Sequence, residues 1–479
     1  MSQQHSFKTF NPLKNSFNPN PFYSDTPLEL ENKIQSAVAA EKVLSETSYQ
    51  EISFFLLDIK SELLIRKNKI SSAYLDETGL NKSRFEVEFE RTLFQLDVFA
   101  KYISSSEWKK RCHQNEQIGN KLITKKKLPI GPIMVIGASN FPLAYSTIGG
   151  DSVAALAARC PVILKSHPYH LRTSLEVFYA IETAISTCNI PVGTFTHVID
   201  EGHDHATSIA KHESIKGIGF TGSQLGGEAI MGHVTRRKYP IPVFAEMGSV
   251  NPVFIMDTHH LSPTDLAQRI THSVCNDRGQ FCTKPGVIFI PNSAEGKNLC
   301  ALLKKNITTF ESGVMLHPNM REQFEVKISA IEMNNPQFIR SDKKEDHHVS
   351  NCCLIIHENE YKNQPLLRTE IFGPFVTLVL YDNYNRLENH LDEFEGQLTC
   401  SIFSDENTID LSQNPLIQLA SKKVGRVIFN DVPTGVTVCK TMQHGGPYPA
   451  SSDSRFTAVG TDSINRFIRD VTIQQNVNY

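Results

Sequence analysis

The fold is decided by the stretch Pro132-Ile133-Met134-Val135-Ile136-Gly137-Ala138-Ser139-Asn140-Phe141-Pro142. Its short apolar run is rich in β-forming residues and gives way to small polar residues, after which a helical pattern of small residues extends to Arg159. Further strand-like runs follow at 161–165, 194–199 and 215–220, with a helical pattern at 171–186 between the first two. Strands that alternate with helices at this spacing predict a parallel, doubly wound sheet, which binds ligands at the carboxyl ends of its strands.

The rest of the chain extends this α/β plan on both sides. The helical spacing of apolar residues from Leu28 to Tyr102 predicts three or four helices, and Asp25-Thr26-Pro27 is typical of a helix start. A second α/β segment begins near Pro252-Val253-Phe254-Ile255, and Arg426-Val427-Ile428-Phe429-Asn430 predicts another strand. At 479 residues the chain exceeds one small core, so we expect two or three domains.

The composition excludes several classes of function. The 48 basic and 51 acidic residues leave a formal net charge of −3, so we expect no nucleic-acid partner. No apolar run approaches a membrane span, so we expect no membrane partner, and Met1 to Ser6 lack the pattern of a secretory signal. The ten cysteines are scattered without a C-x-x-C pair, which favours a reducing cytoplasm.

Two further segments have simple structural interpretations. Lys125-Lys126-Lys127 lies in a basic run that reaches Pro129, and no aromatic residues alternate with these lysines. A solvated turn or hairpin is therefore favoured over a nucleic-acid patch. Val471-Thr472-Ile473 alternates as a strand does and predicts an edge strand near the C-terminus.

One cysteine stands apart from the others. Cys282 ends the loop Asn276-Asp277-Arg278-Gly279-Gln280-Phe281-Cys282, with Pro285-Gly286 soon after and the strand-like Val287-Ile288-Phe289-Ile290 next. Most cysteines are small buried core residues. A thiol in a loop at the mouth of a strand is instead placed to act as a nucleophile. The thiolate of such a residue is a strong nucleophile, and a thioester that it forms is open to hydrolysis.

Six stretches, in this order along the chain, resemble the aldehyde dehydrogenase superfamily from about residue 25 onward. They are Gly137-Ala138-Ser139-Asn140-Phe141-Pro142, Leu164-Lys165, Gly219-Phe220-Thr221-Gly222-Ser223, Ala245-Glu246-Met247-Gly248, Gly279-Gln280-Phe281-Cys282 and Glu370-Ile371-Phe372-Gly373-Pro374. A narrower match is to the α-ketoglutaric semialdehyde (2,5-dioxovalerate) dehydrogenases. It is carried by Glu246-Met247-Gly248-Ser249-Val250-Asn251-Pro252-Val253-Phe254, His444-Gly445-Gly446-Pro447-Tyr448-Pro449-Ala450, Ser452-Asp453-Ser454-Arg455-Phe456 and Val459-Gly460-Thr461.

The resemblance implies an aldehyde dehydrogenase-like α/β fold with a Rossmann-type parallel-sheet cofactor domain, a second α/β catalytic domain and a small β oligomerisation arm. We assign residues 1–112 and 132–247 to the cofactor domain, 248–440 to the catalytic domain, and 113–131 with 455–479 to the arm. It also implies NAD(P)-dependent oxidation of an aldehyde to a carboxylate in a homodimer or homotetramer. The expected substrate is α-ketoglutaric semialdehyde, and the alternative is a medium- or long-chain aliphatic aldehyde.

Two side chains are candidates to assist Cys282. Glu246 is the candidate base for thioester hydrolysis, and its apolar neighbours argue against the alternative of a surface carboxylate. Because acyl-CoA-forming relatives typically lack this base, Glu246 implies water as the final acyl acceptor. Asn140 is the candidate donor to the oxyanion, together with the backbone N–H of Cys282. The alternative for Asn140 is a residue that only forms a turn.

Three places carry the cofactor prediction. Gly222-Ser223 lies at a strand-to-helix turn, where backbone N–H groups and a helix N-terminus suit a diphosphate. Because the G-x-G-x-x-G fingerprint is missing, this assignment depends on the resemblance. Lys165 ends a strand and reaches toward the adenosine ribose or its phosphate. Glu370, with Phe372 close by, resembles the carboxylate that holds the nicotinamide ribose, and its alternative is a solvated acid.

The choice between NADP and NAD depends on one position. NAD-preferring relatives usually carry Glu three residues after the lysine, and here that position is Pro168. No carboxylate there repels a 2′-phosphate, and Lys165, Ser166 and His167 are its candidate partners. The sequence therefore predicts NADP, with NAD as the alternative.

Substrate and metal residues are less sharply defined. Arg278 and Arg455 are candidates to bind the carboxylate of a dioxo acid, although a structural role is favoured for both. The Gly- and Pro-rich loop from Thr434 to Ser454 is expected to wall the substrate pocket. Three histidine pairs match no recognised ligand spacing, so surface histidines are favoured over a metal site. They are His203/His205, His259/His260 and His347/His348.

Two functions outside this class are the rivals. A cysteine hydrolase would pair Cys282 with a histidine, but we find no histidine in a comparably placed motif. The second rival is a structural or binding protein that has this fold but no catalytic activity. Such a protein would not need Cys282, Glu246 and Asn140, so the presence of all three argues against it.

Overall fold

The computed structural model describes residues 5–256, 262–404 and 414–477. The α-helices are α1 (Pro27–Glu46), α2 (Tyr49–Thr78), α3 (Lys82–Ser104), α4 (Ser106–Cys112), α5 (Gly150–Ala157), α6 (Leu171–Thr187), α7 (Asp204–Lys211), α8 (Gln224–Thr235), α9 (Pro263–Cys275), α10 (Ala294–Thr309), α11 (Pro318–Asn334), α12 (Glu358–Tyr361), α13 (Leu387–Asp392) and α14 (Pro415–Lys423). Shorter 3₁₀ turns are Pro168–His170, Asn276–Gly279, Pro365–Arg368, Tyr384–Arg386 and Thr461–Phe467, and Leu143–Thr147 forms a π-type turn.

The strands are β1 (Ser6–Phe7), β2 (Phe10–Asn11), β3 (Ser16–Phe17), β4 (Phe22–Tyr23), β5 (His113–Ile118), β6 (Lys121–Pro129), β7 (Ile133–Ile136), β8 (Val162–Lys165), β9 (Phe195–Val198), β10 (Gly217–Thr221), β11 (Val243–Glu246), β12 (Val253–Ile255), β13 (Val287–Pro291), β14 (Phe338–Arg340), β15 (Cys352–His357), β16 (Phe375–Tyr381), β17 (Gln397–Phe403), β18 (Val424–Phe429) and β19 (Ile468–Asn476).

The N-terminal helices match the predicted set. α1 begins with a capping box, in which the Thr26 side chain accepts from the backbone N–H of Glu29 and the Glu29 carboxylate accepts from that of Thr26. α2 and α3 contribute the buried side chains of Phe55, Leu96 and Phe99 to one apolar core. No helix in the described part of the chain is both long enough and apolar enough to cross a membrane.

The first sheet contains five parallel strands in the order β11-β10-β7-β8-β9. Strands β7 to β9 are almost wholly buried, as expected where helices cover both faces of a parallel sheet. The predicted doubly wound parallel sheet is confirmed.

The second sheet contains seven strands in the order β14-β15-β16-β13-β12-β17-β18. All neighbouring pairs are parallel except β14 and β15. The strand that the sequence predicts at 426–430 is β18, and it lies at the edge of this sheet.

A separate antiparallel sheet has the order β19-β6-β5. The predicted basic hairpin is β5 and β6, and Lys125 and Lys127 on β6 pair with Asp470 on the edge strand β19. Ile464 and Phe467, just before β19, are buried in the first core. Strand β19 begins at Ile468, within the range 455–479 that the sequence analysis assigns to the arm.

The first sheet places four predicted site residues at one edge. Lys165 and Glu246 end β8 and β11, Asn140 follows β7, and Gly222 follows β10. Because the strands are parallel, these positions all lie at the carboxyl edge of the sheet, where open α/β sheets bind ligands. Cys282 precedes β13 of the second sheet.

Candidate active site

Cys282 follows a tightly wound turn directly after α9. Asp277, Arg278 and Gly279 have φ angles of 46°, 58° and 63°, so three successive residues adopt left-handed backbone. A Cβ atom on Gly279 would lie 2.3 Å from the carbonyl oxygen of Gly373, which leaves no room for a side chain. This turn holds the half-buried Cys282 at the junction of the two sheets.

Cys282, Glu246 and His444 form a compact cluster. Nε2 of His444 lies 2.9 Å from Oε1 of Glu246 and 3.8 Å from Sγ of Cys282. The reactive atoms of all three side chains lie within 4.8 Å of one another. The second carboxylate oxygen of Glu246, Oε2, is buried and has no hydrogen-bond partner among the described residues. A buried acceptor without a partner is costly, and it is well placed to take a proton from a ligand or water.

Burial disfavours charge on both Glu246 and Cys282, yet their pKa values move in opposite directions. Burial raises the pKa of Glu246, but the charge and hydrogen bond of His444 and the nearby Cys282 thiol outweigh it, so the pKa lies below its usual value. Burial raises the pKa of Cys282 well above its usual value, and the charge of Glu246 adds to this effect. The pair therefore rests as a neutral thiol beside a carboxylate.

Asn140 contacts the loop that carries Cys282. Its Nδ2 donates to the carbonyl oxygen of Gln280 at 2.8 Å, which uses one of the two N–H groups of the amide. Glu88 of α3, a buried carboxylate, fixes the turn after Asn140 because its Oε1 accepts from two successive backbone N–H groups at 2.8 and 3.0 Å.

Arg84 of α3 connects the Asn140 turn with the Cys282 turn. Its Nε donates to Asp277 at 2.7 Å and its Nη1 donates to Glu88 at 2.9 Å. The Cζ atom of Arg84 lies 4.3 Å from the ring centre of Phe141, close enough for a cation–π contact. The exposed fractions of the Arg84 and Glu88 side chains are only 10% and 0%. This buried pair holds two segments of the candidate site in register.

The residues predicted to bind a 2′-phosphate lie together at the carboxyl end of β8. Lys165 is buried, and burial lowers its pKa to about 8. The Ser166 hydroxyl donates to the carbonyl oxygen of Val198 at 2.8 Å. Burial, with the charges of His170 and Lys165, holds the pKa of His167 well below its usual value. Of the three predicted residues, Lys165 alone is therefore charged at pH 7.

Gly222 and Ser223 form the exposed start of α8. The Ser223 side chain caps the helix by accepting from the backbone N–H of Gly226 at 3.2 Å. The backbone N–H of Gly222 donates to the carbonyl oxygen of Glu246 at 3.1 Å. An exposed helix N-terminus at the end of a parallel strand offers N–H groups and the positive end of the helix dipole to an anion.

Glu370 lies directly against Gly248. A Cβ atom on Gly248 would lie 2.2 Å from Oε2 of Glu370, so any larger residue would displace this carboxylate. Burial raises the pKa of Glu370 to about 6, although the charges of Lys284 and Lys327 oppose the rise. Phe372 is half-buried in the same loop.

The two arginines predicted for the substrate carboxylate have other partners. Nη1 of Arg278 donates to the carbonyl oxygen of Glu311 at 2.7 Å. The Arg455 side chain is 80% exposed and pairs with Asp453 at 2.5 Å. These local partners account for the positions of both guanidinium groups.

His444 is a site residue that sequence reasoning did not identify, and the expectation that no histidine is suitably placed for Cys282 is wrong. Its one signal in the sequence is that it begins the stretch His444-Gly445-Gly446-Pro447. This stretch contributes to the family resemblance, but the resemblance assigns no function to His444. An isolated antiparallel β-bridge joins the backbone of Ser451 to that of Glu246 at the end of β11. This bridge brings the segment that contains His444 beside Glu246.

The three histidine pairs differ in their surroundings. His259/His260 lies outside the described residues. In the pair His203/His205, His203 is exposed and His205 is half-buried. His347 and His348 lie with Glu345 so that their ligand-type atoms are within 4.8 Å, but all three are at least partly exposed.

Comparison with known proteins agrees with this geometry. The sequence model described as the aldehyde dehydrogenase family matches residues 1–470. The chain belongs to the aldehyde dehydrogenase family. An α-ketoglutaric semialdehyde dehydrogenase of Acinetobacter baylyi is 35% identical over 469 residues, which cover 93% of this chain and 86% of that protein. A protein of the same name, numbered 2, from Azospirillum brasilense is 32% identical over 429 residues, with 88% and 82% covered.

Solved structures share the aldehyde dehydrogenase fold with this chain. A double mutant of betaine aldehyde dehydrogenase from Staphylococcus aureus, in complex with NAD⁺, has a TM-score of 0.85 at 16% identity and covers 100% of this chain and 94% of its own. A 1-pyrroline-5-carboxylate dehydrogenase has a TM-score of 0.84 at 17% identity, with 99% and 91% covered.

Aldehyde dehydrogenases oxidise aldehydes to acids with a nicotinamide dinucleotide, and the described residues fit such a cofactor. The exposed start of α8 offers N–H groups to a diphosphate, and Lys165 provides a cation at the end of β8. Glu370 is a half-buried carboxylate able to accept hydrogen bonds from hydroxyl groups, and it occupies the space beside Gly248, which has no side chain.

Proposed function

We propose that this aldehyde dehydrogenase oxidises α-ketoglutaric semialdehyde to 2-oxoglutarate with NADP. The observation that carries the proposal is the cluster of Cys282, Glu246 and His444, where a thiol, a carboxylate and an imidazole meet at the end of β11. The substrate assignment is supported by two relatives with 35% and 32% identity that bear this name.

The first half of the reaction uses Cys282 as the nucleophile. The thiol gives its proton to Glu246, directly or through Nε2 of His444, and Sγ bonds to the aldehyde carbon. Because the thiol has a high pKa and Glu246 a low one, this transfer is uphill at rest and completes only as the C–S bond forms. The aldehyde oxygen becomes an oxyanion, which the Asn140 amide and the backbone N–H of Cys282 bind. When bound, the nicotinamide supplies the acceptor for the hydride of that carbon, and a thioester on Cys282 remains.

The second half of the reaction begins when Glu246 has released to solvent the proton that it took from the thiol, and it uses the regenerated carboxylate as a general base. Its partnerless oxygen Oε2 takes a proton from water, and the water oxygen bonds to the thioester carbon. The C–S bond then breaks, the sulfur recovers a proton from Glu246, and the product ionises as a carboxylate. His444 holds the other carboxylate oxygen, so it orients Glu246 in both halves.

An aldehyde panel followed by NADPH absorbance tests this proposal. We expect the highest kcat/KM for 2,5-dioxopentanoate among a set that includes pentanal and octanal. A higher value for octanal would replace the substrate assignment with aliphatic aldehydes. Ester hydrolysis without any nicotinamide requirement, combined with no NADPH formation, would favour a cysteine hydrolase instead.

We infer NADP rather than NAD because Pro168 stands three residues after Lys165, where a carboxylate would repel a 2′-phosphate. Lys165 is the charged partner that supports this inference, since His167 is held neutral. Steady-state kinetics with both cofactors test it, and a large preference for NAD would contradict it.

We also infer a cytoplasmic homodimer or homotetramer in which β19, β6 and β5 form the oligomerisation arm. The support is that this sheet is mostly exposed in the single chain and that all ten cysteines are free thiols. In the same proposal the first sheet is the cofactor domain and the second is the catalytic domain. Light scattering that finds only monomers would contradict the assembly.

A further inference from the structure

Two arginines lie near Tyr145 in a part of the site that the proposed chemistry leaves unused. Arg91 lies on α3, and its Nη2 donates to the Tyr145 hydroxyl at 2.9 Å. The Cζ atom of Arg91 lies 5.3 Å from the centre of the Tyr145 ring. Another neighbour of that ring is His444, with ring centres 5.9 Å apart. Arg91 is therefore one side chain away from the cluster around Cys282.

Arg426 on β18 reaches the same place from the second sheet. Its Nη1 donates to the carbonyl oxygen of Gly435 at 3.0 Å, and Nη1 of Arg91 donates to the carbonyl oxygen of the next residue, Val436. The two guanidinium groups thus meet at successive peptides of the loop that follows β18. The charge of Arg426 also acts on Cys282, because it lowers the pKa of that thiol against the larger effects of burial and Glu246.

Both arginines lack a negative partner. Within the described ranges neither guanidinium forms an ion pair with a carboxylate, and Asp431, the acid nearest to Arg426 along the chain, pairs with Arg269 at 2.7 Å. Nε of Arg91 and Nε of Arg426 are buried without an acceptor. Burial also lowers the pKa of Arg426. Two partly desolvated cations without a counter-charge are costly for a folded chain, and a bound anion offsets that cost.

We propose that Arg91 and Arg426 select aldehydes that carry a carboxylate at the end remote from the carbonyl group. This inference rests on the proposed function, because it takes Cys282 as the atom that meets the carbonyl carbon. Each guanidinium has five N–H groups and gives two of them to the described partners, so N–H groups remain for a carboxylate. The same two cations disfavour a neutral aliphatic tail, which cannot replace the water that it would displace from them.

The test compares two substrates with the same carbon chain, 5-oxopentanoate and pentanal, in the full-length protein with NADP. We expect Arg91→Met and Arg426→Met each to lower kcat/KM for 5-oxopentanoate by roughly 10- to 100-fold, as expected for loss of a charge-assisted hydrogen bond. The ratio of kcat/KM for 5-oxopentanoate to that for pentanal is the decisive readout. It should collapse in both variants, even where Arg426→Met also slows pentanal through its effect on the thiol.

Arg237→Met is the matched control. Arg237 is also partly buried and donates to loop carbonyl oxygens, at 2.7 Å to both Ala210 and His212, but it lies near α7 and α8. We expect its substrate ratio to equal that of the wild type. An unchanged ratio in Arg91→Met and Arg426→Met, or equal losses for both aldehydes, would overturn the proposal.

A binding measurement keeps the proposal testable if a methionine variant folds poorly. Glutarate should protect Cys282 from alkylation by iodoacetamide in the wild type, and Arg91→Lys should weaken this protection because lysine lacks the planar fork. Equal protection in wild type and Arg91→Lys, or stronger protection by inorganic phosphate than by glutarate, would overturn a carboxylate site. If the wild type oxidises both aldehydes equally well, this inference fails alone. If it oxidises neither, the proposed function fails.

Discussion

Nε2 of His444 lies 2.9 Å from Oε1 of Glu246, and the exposed fractions of the two side chains are only 2% and 4%. A carboxylate in such a dry place would ordinarily hold its proton, because burial penalises the charged form. The imidazole reverses this preference and lowers the pKa of Glu246. It also occupies one carboxylate oxygen and leaves the other free toward Cys282 and water. Glu246 is therefore a base that is both ionised and oriented.

Replacement of His444 by Leu should raise the pKa of Glu246, because burial then acts without the imidazole. Protons would compete for the base at higher pH, so the acidic limb of the kcat–pH profile should move upward. At neutral pH kcat should fall about 10-fold or more. His444→Gln, which can still donate a hydrogen bond, should lose less. An acidic limb that stays where the wild type has it would argue that His444 does not control Glu246.

Cys282→Ser should abolish NADPH formation, by roughly 10³-fold or more, because an alcohol is a far weaker nucleophile than a thiolate. Folding should be unaffected, since the substitution changes a single atom of a half-buried side chain. Thermal unfolding and NADP titration check the fold independently of turnover. Cys188→Ser, at a half-buried cysteine after α6, is the control that should keep full activity. Undiminished turnover in Cys282→Ser would remove Cys282 from the mechanism.

Arg84→Met should destabilise the protein by about 3–5 kcal/mol, the range for removing one member of a buried ion pair. The substitution leaves the carboxylates of Glu88 and Asp277 without their positively charged partner. Their side chains are only 0% and 11% exposed. Because these acids fix the turns of Asn140 and Cys282, kcat should fall as well. Urea unfolding measures the loss. Arg66→Met, which breaks the more exposed pair with Glu176, should cost only about 0–1 kcal/mol. Equal losses in the two variants would contradict this account.

Local sequence patterns predict the architecture because strands and helices depend on near neighbours. The run at 132–137, the cap at Thr26 and the strand after Cys282 all lie where the sequence indicates. His444 escaped prediction because its contacts with Cys282 and Glu246 join positions 162 or more residues apart. The meeting of Arg91 with Arg426 is hidden for the same reason, since the contact of Arg91 with Val436 joins positions 345 residues apart. The contact of Arg426 with Gly435 is short-range by comparison. Chain order alone cannot show which distant side chains share a cavity.

If Glu370 holds the cofactor as proposed, NADP binding should depend on pH in a direction that the pKa of Glu370 fixes. Its pKa is raised to about 6, so the carboxylate is ionised above that pH and accepts hydroxyl hydrogen bonds, whereas below it the protonated form is a weaker acceptor. We expect the Kd for NADP to rise as the pH falls below about 6, with no such rise in Glu370→Gln. Fluorescence titration of the full-length protein between pH 5 and 8 measures it.

The stability of the fold should also depend on Glu370, but it should favour the protonated form, whereas NADP binding favours the ionised form. Because the folded state binds the proton of Glu370 more tightly than the unfolded state does, the contribution of Glu370 to stability is fully present below the ordinary glutamate pKa. It is lost as the pH rises through about 6. Lys284→Met should raise the pKa of Glu370 further, since the charge of Lys284 opposes the rise. The pH midpoint of NADP binding and the pH midpoint of the stability change should then move upward together. If the midpoint for NADP binding moves and the stability midpoint does not, the binding dependence belongs to another group.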